Sequence, residues 1–252
     1  MPVSQTGYLF QCQLAVTVVV MLTRRLLQLF IGLAMYGISL AMFIRAGLGL
    51  DPWDVFHQGL AGRTGLSIGV VVIIVSFLVL LLWIPLRQWP GFGTLCNAVL
   101  VGVFADIGLA LIPAFSHLGG QIGLLAGAVV LNGIASACYI GARFGPGARD
   151  GLMTGLARRT GWSVRVSRTL IEVVVLGIGW LLGGSVGVGT VVYALAIGPL
   201  VQLLLPWFMV PVALTPASVP EPGAGEPPAS ELAAIDPAAV DPADAEPAAR
   251  NA

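Results

Sequence analysis

The sequence predicts an all-α, polytopic membrane protein: six transmembrane helices arranged as two inverted three-helix repeats, each with a short amphipathic or re-entrant helix. Composition, an internal repeat and the placement of arginine carry that prediction. Of 252 residues, 57% are hydrophobic and 10% are charged, and the mean hydropathy is +0.94. A soluble domain of this size carries roughly 25% charged residues. So few charges could not coat a water-facing surface, so the bilayer must be much of the solvent.

The repeat fixes the architecture. A shift of 96 positions lays residues 46–106 on 142–202 without a gap, and 19 of those 61 positions are identical. Asp54, Gly59, Arg63, Thr64, Gly65 and Ser67 fall on Asp150, Gly155, Arg159, Thr160, Gly161 and Ser163. Gly91, Gly93 and Thr94 fall on Gly187, Gly189 and Thr190. Chance matches between apolar segments scatter over Leu and Val; a register of Gly, Arg, Thr and Asp requires duplication.

A spanning helix needs roughly 20 mostly apolar residues. In half one the segments that qualify are Leu26–Ile44, Ile68–Ile84 and Thr94–Ile112; in half two they are Gln121–Ala142, Val166–Leu182 and Thr190–Met209. Three spans per half is an odd number, so the halves must cross the membrane in opposite senses. Arginine tests this independently, because the chain has no Lys. With Arg24 and Arg25 cytoplasmic, Arg87, Arg143, Arg149, Arg158, Arg159, Arg165 and Arg168 join them, leaving only Arg45 and Arg63 outside. That distribution follows the positive-inside rule and puts both termini in the cytoplasm.

The domain reading follows: repeat one at 22–112, a linker loop at 113–121, repeat two at 122–210. Residues 1–21 read as an N-terminal extension, with Met21 ahead of Arg24 and Arg25 the better start. Residues 211–252 hold seven of the 12 acids and form a Pro/Ala/acidic tail with little to bury, which predicts disorder.

Three features recur in both halves. In Asp51-Pro52-Trp53-Asp54, Asp51 is an N-cap and Pro52 stands at the first helical position; half two has Arg149-Asp150 in the matching place. This short helix reads either as an interfacial anchor or as a re-entrant element lining a cavity. Arg-Thr-Gly-x-Ser at 63–67 and 159–163 supplies Ser67 and Ser163 as N-caps. Gly-x-Gly-Thr, with Gly93 and Thr94 or Gly189 and Thr190, opens the last span of each half; it reads as a plain turn or as an anion-binding helix start.

Ionisable residues within spans are functional candidates by default. Asp106 sits in the third span opposite Gln202 in the repeat, the contrast that proton or cation coupling would use. Glu172 has Arg168 four residues before it, a local helix ion pair. The candidate pathway set is therefore Asp106, Thr94, Thr190, Gly93, Gly189, Asp54, Arg149, Asp150 and Gln202. No catalytic constellation or Walker loop accompanies them, so no enzymatic activity is expected. His57 and His117 lack metal-ligand spacing, and neither a metal nor a cofactor is expected.

Several segments resemble the YczE/YitT family of bacterial membrane proteins. They include Ala46-Gly47-Leu48-Gly49, Thr64-Gly65-Leu66-Ser67-Ile68-Gly69, Gly91-Phe92-Gly93-Thr94, Arg149-Asp150-Gly151-Leu152-Met153 and Arg168-Thr169-Leu170-Ile171-Glu172. The resemblance covers residues 22–210 and implies a protein of the bacterial cytoplasmic membrane. Gly145-Pro146-Gly147-Ala148 departs from it, the family pattern placing Pro directly before the Arg.

The functional expectation is a small secondary transporter or permease of unknown substrate, with its site between the halves. The alternative is a non-transporting membrane scaffold or accessory factor, since duplicated folds also persist for packing alone. The expected partners are the lipid bilayer and a small solute, with no nucleic acid; a homo-oligomer or a membrane-protein partner stays open.

Overall fold

The computed structural model describes the backbone of residues 3–210, and side chains at residue 13 and from residue 16 onward. Residues 1–2 and the acidic tail, 211–252, lie outside the described residues, so the reading of the tail is untouched. Eight helices and no strand occur among the described residues: α1 Val3–Ala46, α2 Pro52–Thr64, α3 Ile68–Trp83, α4 Phe92–Leu111, α5 Leu118–Gly141, α6 Ala148–Thr160, α7 Val164–Leu181 and α8 Val188–Phe208.

The starts of α2, α3 and α4 recur at α6, α7 and α8 with the 96-residue shift, and the cause is local sequence. Asp51 accepts from the Asp54 N–H at the start of α2. Ser67 and Ser163 do the same for Val70 and Val166 at the starts of α3 and α7. Gly65 and Gly161 end α2 and α6 with φ of 73° and 75°, a left-handed conformation that glycine adopts without strain. α2 and α3 meet at 114° across this break.

The spans differ from the sequence reading at α3, α7 and α1. Four helices are long and apolar enough to cross a membrane, and five if α2 and α3 count as one bent span. Alone, α3 has 16 residues, about 24 Å at 1.5 Å per residue, short of a bilayer core about 30 Å thick. α7 carries Arg165, Arg168 and Glu172 within 18 residues. At the N-terminus, α1 is one 44-residue helix rather than a span beginning at Leu26. Between Gly7 and Gly32 it has no Pro and no Gly, so nothing stops the helix at Arg24 and Arg25.

The equivalent helices α1 and α5 pack side by side at the centre and run antiparallel. Arg25 donates to the Ala142 and Arg143 carbonyls, Gln28 to that of Cys138, and Asn132 Nδ2 to Ser39 Oγ. Residue numbers thus rise on one helix as they fall on the other. Each central helix runs parallel to the last helix of its own half: Gly37 sits against Val101 and Ala105, and Gly133 against Leu200.

Two further packings are exchanged between halves. α2 of half one lies on α7 of half two, and α6 of half two lies on α3 of half one. At the first crossing Gly179 admits Val55 and Phe56; at the equivalent crossing Gly151 admits the Trp83 ring, which also donates to the Ala148 carbonyl. The small and large partners have traded places between copies.

Apolar side chains cover the outside: Leu111, Leu195 and Leu203 are 75%, 73% and 69% exposed. Such a surface would associate in water; in lipid it needs no cover.

Candidate functional site

A cavity of about 250 Å³ lies between the halves, roughly eight waters' worth of space. Its lining includes pairs related by the 96-residue shift: Val72 with Arg168, Asn97 with Tyr193, and Val101 with Ile197. The cavity therefore sits where the two copies meet. It extends to one side only. Tyr139, Gly147 and Asp150 line it, Asp150 alone of them exposed, whereas their equivalents Phe43, Asp51 and Asp54 do not line it and are buried at 1%, 3% and 3% exposure. Phe43 stacks edge-on against Tyr193, 5.5 Å between centroids, and closes that side.

Polar chemistry is concentrated in the short helices. Arg149 at the start of α6 donates to Asp51 Oδ2 at 3.4 Å and to Asp54 Oδ1 at 3.2 Å, bridging the halves. Its guanidinium lies 5.4 Å from the Trp53 ring centroid, and positions 53 and 149 are themselves repeat equivalents. His57 Nδ1 stands 3.2 Å from the same Asp54 oxygen. Asp150 is exposed at the cavity mouth and accepts from the Tyr139 hydroxyl at 2.7 Å. Arg149 uses two of its five donors and lines the cavity, so it is a fixed cation with donors to spare.

Thus α2 does not lie on the surface as an amphipathic anchor. Pro52, Trp53, Asp54, Val55 and His57 are all buried, and the helix, 13 residues and about 20 Å long, packs into the bundle.

Of the sequence candidates, Arg149, Asp150 and Gln202 line the cavity, and Asp54 stands behind Arg149. Thr94, Thr190, Gly93 and Gly189 instead form two interlocks between halves. Gly93 N–H donates to the Phe144 carbonyl and Thr94 Oγ1 to that of Pro146. In the other copy Gly189 N–H donates to Leu48. Thr94 and Thr190 also accept from Gly91 and Gly187 N–H. These helix-start N–H groups are spent on backbone and side-chain oxygens.

Asp106 is likewise engaged: it accepts from Ser67 Oγ at 2.6 Å and Gly69 N–H at 2.8 Å, finishing the start of α3. Its equivalent Gln202 reaches the cavity. Glu172 pairs with Arg168 at 2.8 Å, as its spacing predicts.

Sequence reading missed His57, Tyr36, Tyr139 and Tyr193 as site residues. The three tyrosines fall inside apolar helices with no charged partner nearby in sequence, whereas His57 had Asp54 three residues before it. The usable signal was position 53: an aromatic opposite an arginine at the start of a repeated helix.

These features define an integral, multi-pass, all-helical membrane protein. The family model "family of unknown function (DUF6198)" matches residues 23–206, and the chain belongs to that family. An uncharacterized protein of Haemophilus influenzae is 38% identical over 178 residues, 70% of this chain and 81% of the relative. The uncharacterized membrane protein YczE of Bacillus subtilis is 37% identical over 172 residues, 68% of this chain and 80% of that protein. A third relative, YyaS of Bacillus subtilis, is 26% identical over 183 residues, 70% and 90% of the two chains. The YczE-type resemblance is therefore borne out. No solved structure matches the chain.

Proposed function

We infer that the protein is a small secondary transporter of the bacterial cytoplasmic membrane, built from inverted repeats with both termini cytoplasmic. On this reading the chain moves a solute and changes no covalent bond. The observation that carries it is the one-sided cavity at the meeting of two copies. Where equivalent elements take two conformations, one open and one packed, exchanging those conformations would close the cavity on one side and open it on the other. That is alternating access. The antiparallel pairing of α1 and α5 supports the inverted arrangement, and nine arginines against two support the orientation.

The solute is small and polar. Arg149 offers donors to an acidic or carbonyl oxygen, Asp150 offers acceptors, and Tyr36 and Tyr193 add hydroxyls and aromatic faces. The test is solute-dependent thermal stabilisation of the purified chain across metabolite classes, followed by flux in liposomes. Stabilisation by a solute should disappear in Asn97→Leu, which fills the cavity from a position that anchors no helix contact. A chain that no small solute stabilises, and that co-purifies with a stoichiometric membrane partner, would be a scaffold instead.

A further inference from the structure

The buried network around Arg149 does not balance in charge. Asp51, Asp54 and His57 are 3%, 3% and 1% exposed. With both carboxylates ionised and His57 neutral, the single Arg149 leaves one negative charge unmatched. A stripped, unmatched charge is strongly unfavourable, and inside a membrane bundle it marks an ion or proton path.

The surroundings supply no second cation. Tyr36 of α1 and Tyr193 of α8 line the same cavity as Arg149 and carry phenols, not cations. Asp150 of α6 adds another acid, engaged by Tyr139. Arg168 of α7 is taken by Glu172, and α3 carries no titratable group. Among the described residues no three His, Cys, Asp or Glu side chains gather as a metal ion requires. A proton fits where a metal does not.

Resting on the transporter reading above, we propose that Asp51, Asp54, His57 and Arg149 form a proton-binding site that couples proton movement to the solute cavity. The proton comes from water on the open side and belongs to the network as a unit. It forms an O–H bond on a carboxylate, or an N–H bond at His57 Nε2 while Nδ1–H donates to Asp54, which can only accept when ionised. Once bound, it neutralises the excess charge and loosens the hold of Asp51 and Asp54 on Arg149. That bridge joins the two halves, so loosening it lets them shift and turns the guanidinium toward the cavity. Release of the proton to the other side restores the bridge. Half two has Gly147 and Met153 where half one has Asp51 and His57, so the chain builds this network once. One proton per chain follows.

The test is a pH jump applied to full-length protein in liposomes on a solid-supported electrode, without solute, reading displaced charge. The wild type should show a transient that falls at least tenfold in the Asp51→Asn/Asp54→Asn double variant. Asn at 51 keeps an N-cap acceptor, so α2 should still start correctly. If that variant does not fold, infrared difference spectra of the wild type between about pH 5 and about pH 8 decide. They should show a carboxylic C=O or imidazolium band that His57→Gln shifts. Absence of both transient and band in the wild type, or an undiminished transient in the folded double variant, would overturn the site. Solute flux without a proton transient would keep the transporter and remove the site. A transient without flux of any solute would keep the site and remove the transporter.

Discussion

At the residue scale, the bundle treats the Asp51–Asp54 pair and Asp106 differently. Asp51 and Asp54 face an arginine on the other half, where any relative movement of the halves must change their partners. Asp106 binds Ser67 and Gly69 within its own half, a contact that either arrangement can keep. On this geometry a change at Asp106 is expected to act on stability. Asp106→Ala leaves the Gly69 N–H without an acceptor and should cost about 1–3 kcal/mol. Unfolding of the purified variant would read this loss, while solute flux per folded molecule stays at the wild-type level. A variant that melts normally but has lost flux would return Asp106 to the pathway.

At the element scale, local signals were legible and distant ones were not. Asp51, Ser67 and Ser163 announce helix starts because capping acts over three residues, and all three cap as their positions predict. Arg168 and Glu172 are equally local. The Arg149 bridge joins residues more than 90 positions apart, and no periodicity within either helix encodes it. The same limit hid the burial of α2. Its Trp53 and Phe56 suggest a surface helix with one apolar face, but α7 covers one side and Arg149 satisfies the acids, so its first half is buried while Gly62–Thr64 stay exposed. The glycines of the crossings were visible only as repeats or turns. Gly151 now has a specific duty: a Cβ there would enter the Trp83 ring. Gly151→Ala should destabilise by about 1–3 kcal/mol, as overpacking does. Adding Trp83→Leu should restore part of that loss in the same unfolding assay, and a purely additive pair would deny the contact.

At the scale of the whole molecule, the repeat predicts opposed orientation of equivalent points. Thr64 and Thr160 are related by the 96-residue shift and both are exposed. In a cysteine-free background, Thr64→Cys should react with an impermeant reagent from outside the cell and Thr160→Cys only after the membrane is opened. Labelling of both from one side would defeat the inverted arrangement, the transport reading with it. The duplication was legible because Gly, Thr and Asp kept their register; the cavity was not, since it exists only where the copies have drifted apart, Phe43 against Tyr139 and Asp51 against Gly147.

The interlocks also set an order of manufacture. The start of α4 is completed by Phe144 and Pro146, and the loop at Leu48 by Gly189, so neither fragment can be finished before the other has left the ribosome. Nascent chains halted near residue 120 should wait in the membrane with open ends, exposed to quality-control proteases. Fragments made as separate polypeptides should survive only when produced together.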